Sequence, residues 1–167
     1  MKIIKIISGG QNGADRAGLD IAIALGIPHG GWCPAGRRSE GGRIPVKYHL
    51  KQTASNSYLP RTRKNVMTAD VTLVFSHGKL SGGSRETMKT AVRSDKPCIH
   101  IDLLAPIDWC AVLKNQFAEK NELVVNIAGP RPSRDRRIYK AAYQNLKTTL
   151  TAHPEIWKCP NRNPDTR

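Results

Sequence analysis

The segment Ile3–Ala22, IIKIISGGQNGADRAGLDIA, constrains the fold more than any other stretch of the chain. An apolar, β-branched run ends at Ser8-Gly9-Gly10-Gln11-Asn12-Gly13, and a helical pattern follows at once. Ala14, Ala17, Gly18, Ile21 and Leu25 mark one face of that helix, and Gly26 stops it. The reading is strand, glycine-rich turn, helix start. Glycines let a ligand come close to the backbone, and the unpaired N–H groups at a helix start favour an anion such as phosphate. A tight βα turn with no ligand has the same local signature. Two further glycine-bearing turns weigh against that plainer reading.

The rest of the chain alternates in the same way. Strands are predicted around Gly31–Cys33, Asp70–Phe75, Pro97–Ile101 and Leu123–Ile127. Helices are predicted over Arg61–Ala69, over Ser84–Ser94 with Ser84 as cap, from about Pro106 to Lys120, and from near Ser133. The last carries Ile138, Ala141, Ala142, Asn145, Leu146 and Leu150 on one side. Pro34 to about Pro60 reads as a long irregular segment, and loops of that length are usually functional or disordered. The expected class is α/β, with a doubly wound, mainly parallel sheet sandwiched between helices. Ligands sit beyond the carboxyl ends of the strands in such sheets, so Gly9–Gly13, His77–Ser84 and Gly129–Arg131 are expected on one rim. Residues 1–152 are expected to form a single domain. The segment 153–167, with Pro154, Pro160 and Pro164, reads as a loosely held tail.

Charge narrows the ligand. The 167 residues hold 27 Lys and Arg against 13 Asp and Glu, a formal net charge of +14, so anionic ligands or partners are expected. The excess concentrates at Arg37-Arg38, at Arg61-Thr62-Arg63-Lys64 and from Arg131 to Arg137. Cys33, Cys98, Cys110 and Cys159 form no CxxC pair, so reduced thiols and a cytoplasmic location are expected rather than a zinc site or disulfides. No apolar run is long enough to span a membrane, and no signal-peptide pattern follows Met1-Lys2. Gly9-Gly10-x-x-Gly13 is neither GxGxxG nor a Walker A loop, and no acidic residue lies where ribose recognition wants one. Few aromatics are interleaved with the basic clusters, which makes nucleic acid a weak expectation.

Individual residues have two readings each. Asp15 complements the helix dipole or accepts a ligand hydrogen bond. Gln11 lies in the first glycine turn. Arg37 and Arg38, after Gly36, are expected to close over an anion. Gly82-Gly83-Ser84 is the second phosphate cradle, with Thr87 one turn on, and Arg131 is an oxyanion clamp. Asn65 caps backbone groups or touches ligand. Asp70 reads as structural. Cys33 reads as an inert buried thiol or a soft ligand to a metal-bearing cofactor. Of the histidines, only His77 stands beside a cradle. No catalytic residue and no metal ligand set is singled out.

The blocks SGGQNGADRAGLDIA, GWCPAGRRSEGGRIP, RTRKNVMTADVTLVFSHGKLSGGSRET and VNIAGPRPS resemble the molybdenum carrier family, a circularly permuted YpsA-like branch of the SLOG superfamily. The resemblance spans about Ile3 to Tyr139 and implies a Rossmann-like fold. That fold is shared with "lysine decarboxylase-like" phosphoribohydrolases and with DNA-processing proteins. It implies a nucleotide-like or pterin-phosphate ligand at Gly9, Gly10, Asn12, Gly13, Gly82, Gly83 and Ser84. Molybdenum cofactor is the implied cargo, self-association is expected, and a molybdoenzyme or a cofactor-synthesis protein is the implied partner. The phosphoribohydrolases carry PGGxGTxxE. Here Ser81–Lys89 reads SGGSRETMK, which puts Lys89 at or next to the acid's place. Glu86 reads as too early and on a different helical face, which argues against that hydrolysis. This leaves a nucleotide-processing enzyme or a nucleotide-ligand sensor as the alternative to carriage, with DNA binding a distant third.

Overall fold

The computed structural model describes residues 1–158. Strand β1 (Lys2–Ile7) leads through the glycine turn into helix α1 (Ala14–Leu25), followed by two short strands, β2 (His29–Gly30) and β3 (Trp32–Cys33). The expected single strand at Gly31–Cys33 is thus divided. Gly31 has φ +124°, and the chain there leaves β1 to pair with a different partner. The segment expected to be irregular folds back on itself. It contains a 3-10 turn at Ala35–Arg37, a small antiparallel pair of β4 (Arg38–Ser39) and β5 (Gly42–Arg43), and β6 (Lys51–Gln52) against β3. Leu19, Cys33, Ile44, Tyr48 and Leu50 form its own buried cluster.

Next come α2 (Tyr58–Thr68), β7 (Val71–Ser76), α3 (Gly82–Arg93), β8 (Cys98–Asp102), α4 (Trp109–Gln116), β9 (Glu122–Ala128) and α5 (Ile138–Ala152). Helix α2 starts three residues before the expected Arg61, because Pro60 falls in its first turn, where a missing N–H is harmless. Helix α4 starts after Asp108, whose carboxylate accepts the Ala111 N–H at 2.9 Å. Helix α5 starts five residues later than expected. Asp135 is held by His77, and Ser133–Arg137 remains turn.

The main sheet has the order β2-β1-β9-β7-β8, and every pairing in it is parallel. Alternation gives its two faces different chemistry. Val71, Leu73 and Phe75 with Leu123, Val125 and Ile127 face the main core, which α1, α4 and α5 cover. Thr72, Ser76 and Asn126 point to the other face, where Asn126 Nδ2 donates to Thr72 Oγ1 at 3.2 Å and α2 packs on α3. The polar face is the one on which α2 and α3 sit. Asp70 is structural, as expected: it accepts the Val124 N–H and pairs with Lys120.

The expected loose tail is corrected over 153–158. Ile156 is buried in the main core, and Trp157 Nε1 donates to the Leu150 carbonyl at 2.7 Å. The rest of that tail, Cys159 included, lies outside the described residues.

Candidate functional site

Strand order makes the site. Sheet neighbours β1, β9 and β7 release their chains at the same edge, so the turns after them converge. A cavity of about 540 Å³ lies there. Gln11 and Asp15 line it from the first turn, Ser81–Ser84, Glu86 and Thr87 from α3, and Ala128–Arg131 with Arg134 from the turn after β9. Helix α2 closes the remaining side with Tyr58, Leu59, Arg61 and Thr62. Of the residues singled out in the sequence, Gln11, Asp15, Gly82, Gly83, Ser84, Thr87 and Arg131 stand together on this cavity.

The other candidates are placed differently. Gly9 lies beneath the Arg61 guanidinium, so closely that a Cβ there would fall 1.8 Å from Nη1. Gly10 backs onto Leu50 and Ile44. Gly13, at φ +99°, packs so near the Pro130 carbonyl oxygen that any side chain would collide with it. The Asn12 carboxamide accepts the Gly41 N–H at 2.9 Å, and Gln11 Oε1 accepts the Glu40 N–H at 2.7 Å. These five residues shape the turn and fasten the Arg38–Arg43 hairpin to it.

Arg37 does not close over an anion. Its guanidinium points inward and donates to the carbonyls of Ile44, Leu50, Pro45 and Tyr48 at 2.8–3.1 Å, which leaves it no free donor face toward the cavity. Arg38 is exposed on β4 and does not line the cavity. Asn65 bridges α2 to β3, accepting the Trp32 N–H and donating to the Trp32 carbonyl. Cys33 is fully buried, and burial pushes its thiol up. Ser84 is corrected as a cap. Ser81 is the N-cap, and Ser84 lies inside the first turn of α3.

Arg61 is the residue that the sequence reading left out of the site, although its basic cluster was visible. Its Nη1 donates to Asp15 Oδ2 at 3.1 Å, across 46 positions of sequence. Burial pushes the Asp15 carboxyl above its ordinary 3.8, against the pull of the Arg61 charge and of the Gln11 N–H. Two donors in the cavity wall have no partner among the described residues: Arg61 Nε and Ser84 Oγ, both buried. Unpaired buried donors are rare in folded proteins and point to a missing acceptor. Two more guanidinium groups stand on the cavity wall. Arg131 lies 3.9 Å from Glu40, and Arg134 is exposed at the rim.

Glu86 lines the cavity, while Lys89, at or next to the acid's place in the motif, is exposed. His77 stands behind the wall. Its Nδ1 pairs with Asp135 Oδ2 at 2.5 Å, tying the turn after β7 to the turn after β9. Burial alone would raise the Asp135 carboxyl, but the bonds from His77 and the Arg137 N–H hold it below 3.8. Two basic side chains lie over aromatic rings in the fold. Lys64 Nζ lies 3.9 Å from the Trp32 ring centroid and Arg61 lies 5.8 Å from that of Tyr58.

Residues 6–150 match the circularly permutated YpsA SLOG family. A crystal structure of the putative molybdenum carrier protein from Syntrophus aciditrophicus SB superposes with a TM-score of 0.82 at 49% identity, over 89% of this chain and 95% of that one. None of the curated proteins matches the chain.

Proposed function

The chain belongs to the circularly permutated YpsA SLOG family, and on that premise we propose that it is a carrier that holds a phosphorylated pterin or nucleotide-like ligand, with molybdenum cofactor as its cargo. The observation that carries the reading is the pair of buried, partnerless donors, Arg61 Nε and Ser84 Oγ, on one cavity. An oxyanion seated there accepts from both, and from the free N–H groups at the start of α3. A Cβ at Gly83 meets nothing within 4 Å, so the backbone is open to the ligand at that point. Arg131 and Arg134 add positive charge on the opposite wall. The cavity of about 540 Å³ suits a phosphorylated bicyclic ring. The name borne by the Syntrophus protein supports the cargo.

The cofactor's phosphate is the part that these residues are suited to hold, and its oxo-metal dithiolene is the chemistry it carries as cargo. Backbone N–H groups and guanidinium groups bind it without changing it, which is what carriage requires. We place the protein in the cytoplasm as a homo-oligomer that hands its ligand to a molybdoenzyme or receives it from a cofactor-synthesis protein. No helix among the described residues is long and apolar enough to cross a membrane. Nucleotide processing is the second reading, and one observation favours it: Glu86 and Asp15, two carboxyl groups, line one cavity.

Thermal stabilisation by molybdate, AMP, ADP-ribose, a pterin phosphate and intact molybdenum cofactor tests the choice. At a hundred times its dissociation constant a ligand adds about 2.7 kcal/mol. Stabilisation by the cofactor and the pterin phosphate without turnover is the expected result. Release of a free base from a nucleotide would replace carriage with hydrolysis.

A further inference from the structure

The anion end of the cavity leaves the far end of the ligand undefined, and two features there are unused. Tyr58 and Leu59, in the first turn of α2, are apolar or aromatic, 36% and 53% exposed, and face the cavity rather than a core. Glu86, in the second turn of α3, lines the same space. Helix geometry sets it about 4.5 Å along the axis from Gly83.

A carboxylate beside an anion site is unfavourable unless its lone pairs meet donors. Glu86 has one ionic partner, Arg93 at 3.5 Å, and the two side chains are 40% and 70% exposed. Such a surface pair contributes little and is readily exchanged. Asp15 Oδ2 is already taken by Arg61 and by the Gln11 N–H. A ligand that brings N–H groups to Glu86, on a flat body resting against Tyr58, would supply those donors.

We propose that Tyr58, Leu59 and Glu86 form a ring subsite that selects a 2-amino-4-oxo heteroaromatic ring, the edge shared by pterin and guanine, by stacking on Tyr58 and pairing with the Glu86 carboxylate. The proposal rests on the anion-binding reading above and adds the class of ring. That edge offers an N–H and an adjacent NH₂ in parallel, which matches the two oxygens of a carboxylate. Adenine has no such edge, and hypoxanthine lacks the amino group. Arg61 lies 5.8 Å from the Tyr58 ring centroid, so the ring subsite and the anion subsite adjoin.

Titration calorimetry with inorganic phosphate, ribose 5-phosphate, AMP, IMP, GMP and a pterin phosphate tests it on the full chain and on Glu86→Gln and Tyr58→Leu. GMP and the pterin phosphate are expected to bind about tenfold more tightly than IMP, the worth of one charge-assisted hydrogen bond, and more tightly still than AMP, which offers neither donor. Glu86→Gln is expected to erase that preference while inorganic phosphate binds as well or better, because a negative charge has gone. Tyr58→Leu is expected to weaken every ring ligand and spare phosphate and ribose 5-phosphate. Equal affinity for GMP, IMP and AMP in the unaltered chain overturns the ring assignment and leaves the anion site standing. Ribose 5-phosphate binding as tightly as GMP, with the same loss in Glu86→Gln, assigns Glu86 to a sugar diol and also overturns it. Faster or slower base release in Glu86→Gln without a change in affinity makes Glu86 catalytic and overturns it as well. No binding of any phosphate, inorganic phosphate included, removes the anion site and the ring subsite together.

Discussion

Gly9→Ala isolates the seat of Arg61. The new Cβ would lie 1.8 Å from Arg61 Nη1 and 2.4 Å from Cζ, so the guanidinium must leave. Backbone strain adds nothing, since Gly9 is not among the positive-φ glycines. What is lost is the 3.1 Å charge-assisted bond to Asp15, whose side chain is 3% exposed. Stripping one partner from a buried ion pair costs about 3–5 kcal/mol when the other stays charged. Asp15 need not stay charged. Its carboxyl is already raised by burial, and without Arg61 it rises further, which offsets part of that cost. The expected loss at pH 8 is therefore about 2–3 kcal/mol, or roughly 4–12 °C in melting temperature.

The pH dependence follows from the same group. A carboxyl raised in the folded state binds its proton there over a window where the unfolded chain has released it, so stability falls as pH rises through that window. The window extends to higher pH in the variant. The difference between variant and parent is thus smallest below the ordinary 3.8 of Asp15 and grows above it. Urea unfolding at pH 4 and pH 8 measures both values, and phosphate affinity should fall in parallel. A variant within about 0.5 kcal/mol of the parent at pH 8, with unchanged phosphate affinity, would refute the seating of Arg61 over Gly9.

Other outcomes follow from the same structure. Arg37→Lys breaks most of four bonds to backbone carbonyls and is expected to lower stability by about 2–4 kcal/mol, read in urea, without changing the affinity of the folded protein for phosphate. Asp70→Asn should destabilise at neutral pH. Burial alone would raise the Asp70 carboxyl, but Lys120 and the Val124 N–H hold it below 3.8, so its contribution is present above that value and vanishes as pH falls through the lower folded-state value. Urea midpoints of variant and parent should accordingly converge in acid. Cys98 should resist alkylation at pH 8 in the native protein and react on unfolding, because burial pushes its thiol up to about 12; fast native labelling would contradict this.

The glycine turn and α1 were legible because their signals are local: apolar run, glycines, helical period. The convergence of three turns followed from strand alternation alone. The roles of Arg37 and Arg61 were not legible, since neither set of partners leaves a local signal in the sequence. The acceptors of Arg37 sit in the folded-back segment that composition marks only as irregular. Asp15 is likewise 46 residues from Arg61. Ser84 illustrates a competing rule. Serine favours a cap, but Ser81 also precedes the helix, and the glycines between them enter it. Ile156 was missed because a proline-bearing end reads as loose until the core that receives it is known.

The most direct measurement is a nitrogen-15 NMR titration with inorganic phosphate that follows the Arg61 Nε–H and the amides of Gly82, Gly83 and Ser84. Saturable shifts at all four, with the Arg61 Nε–H moving as a hydrogen-bonded group does, are the predicted result. Shifts confined to other arginines, or none at saturating phosphate, would contradict an anion seat between Arg61 and Ser84.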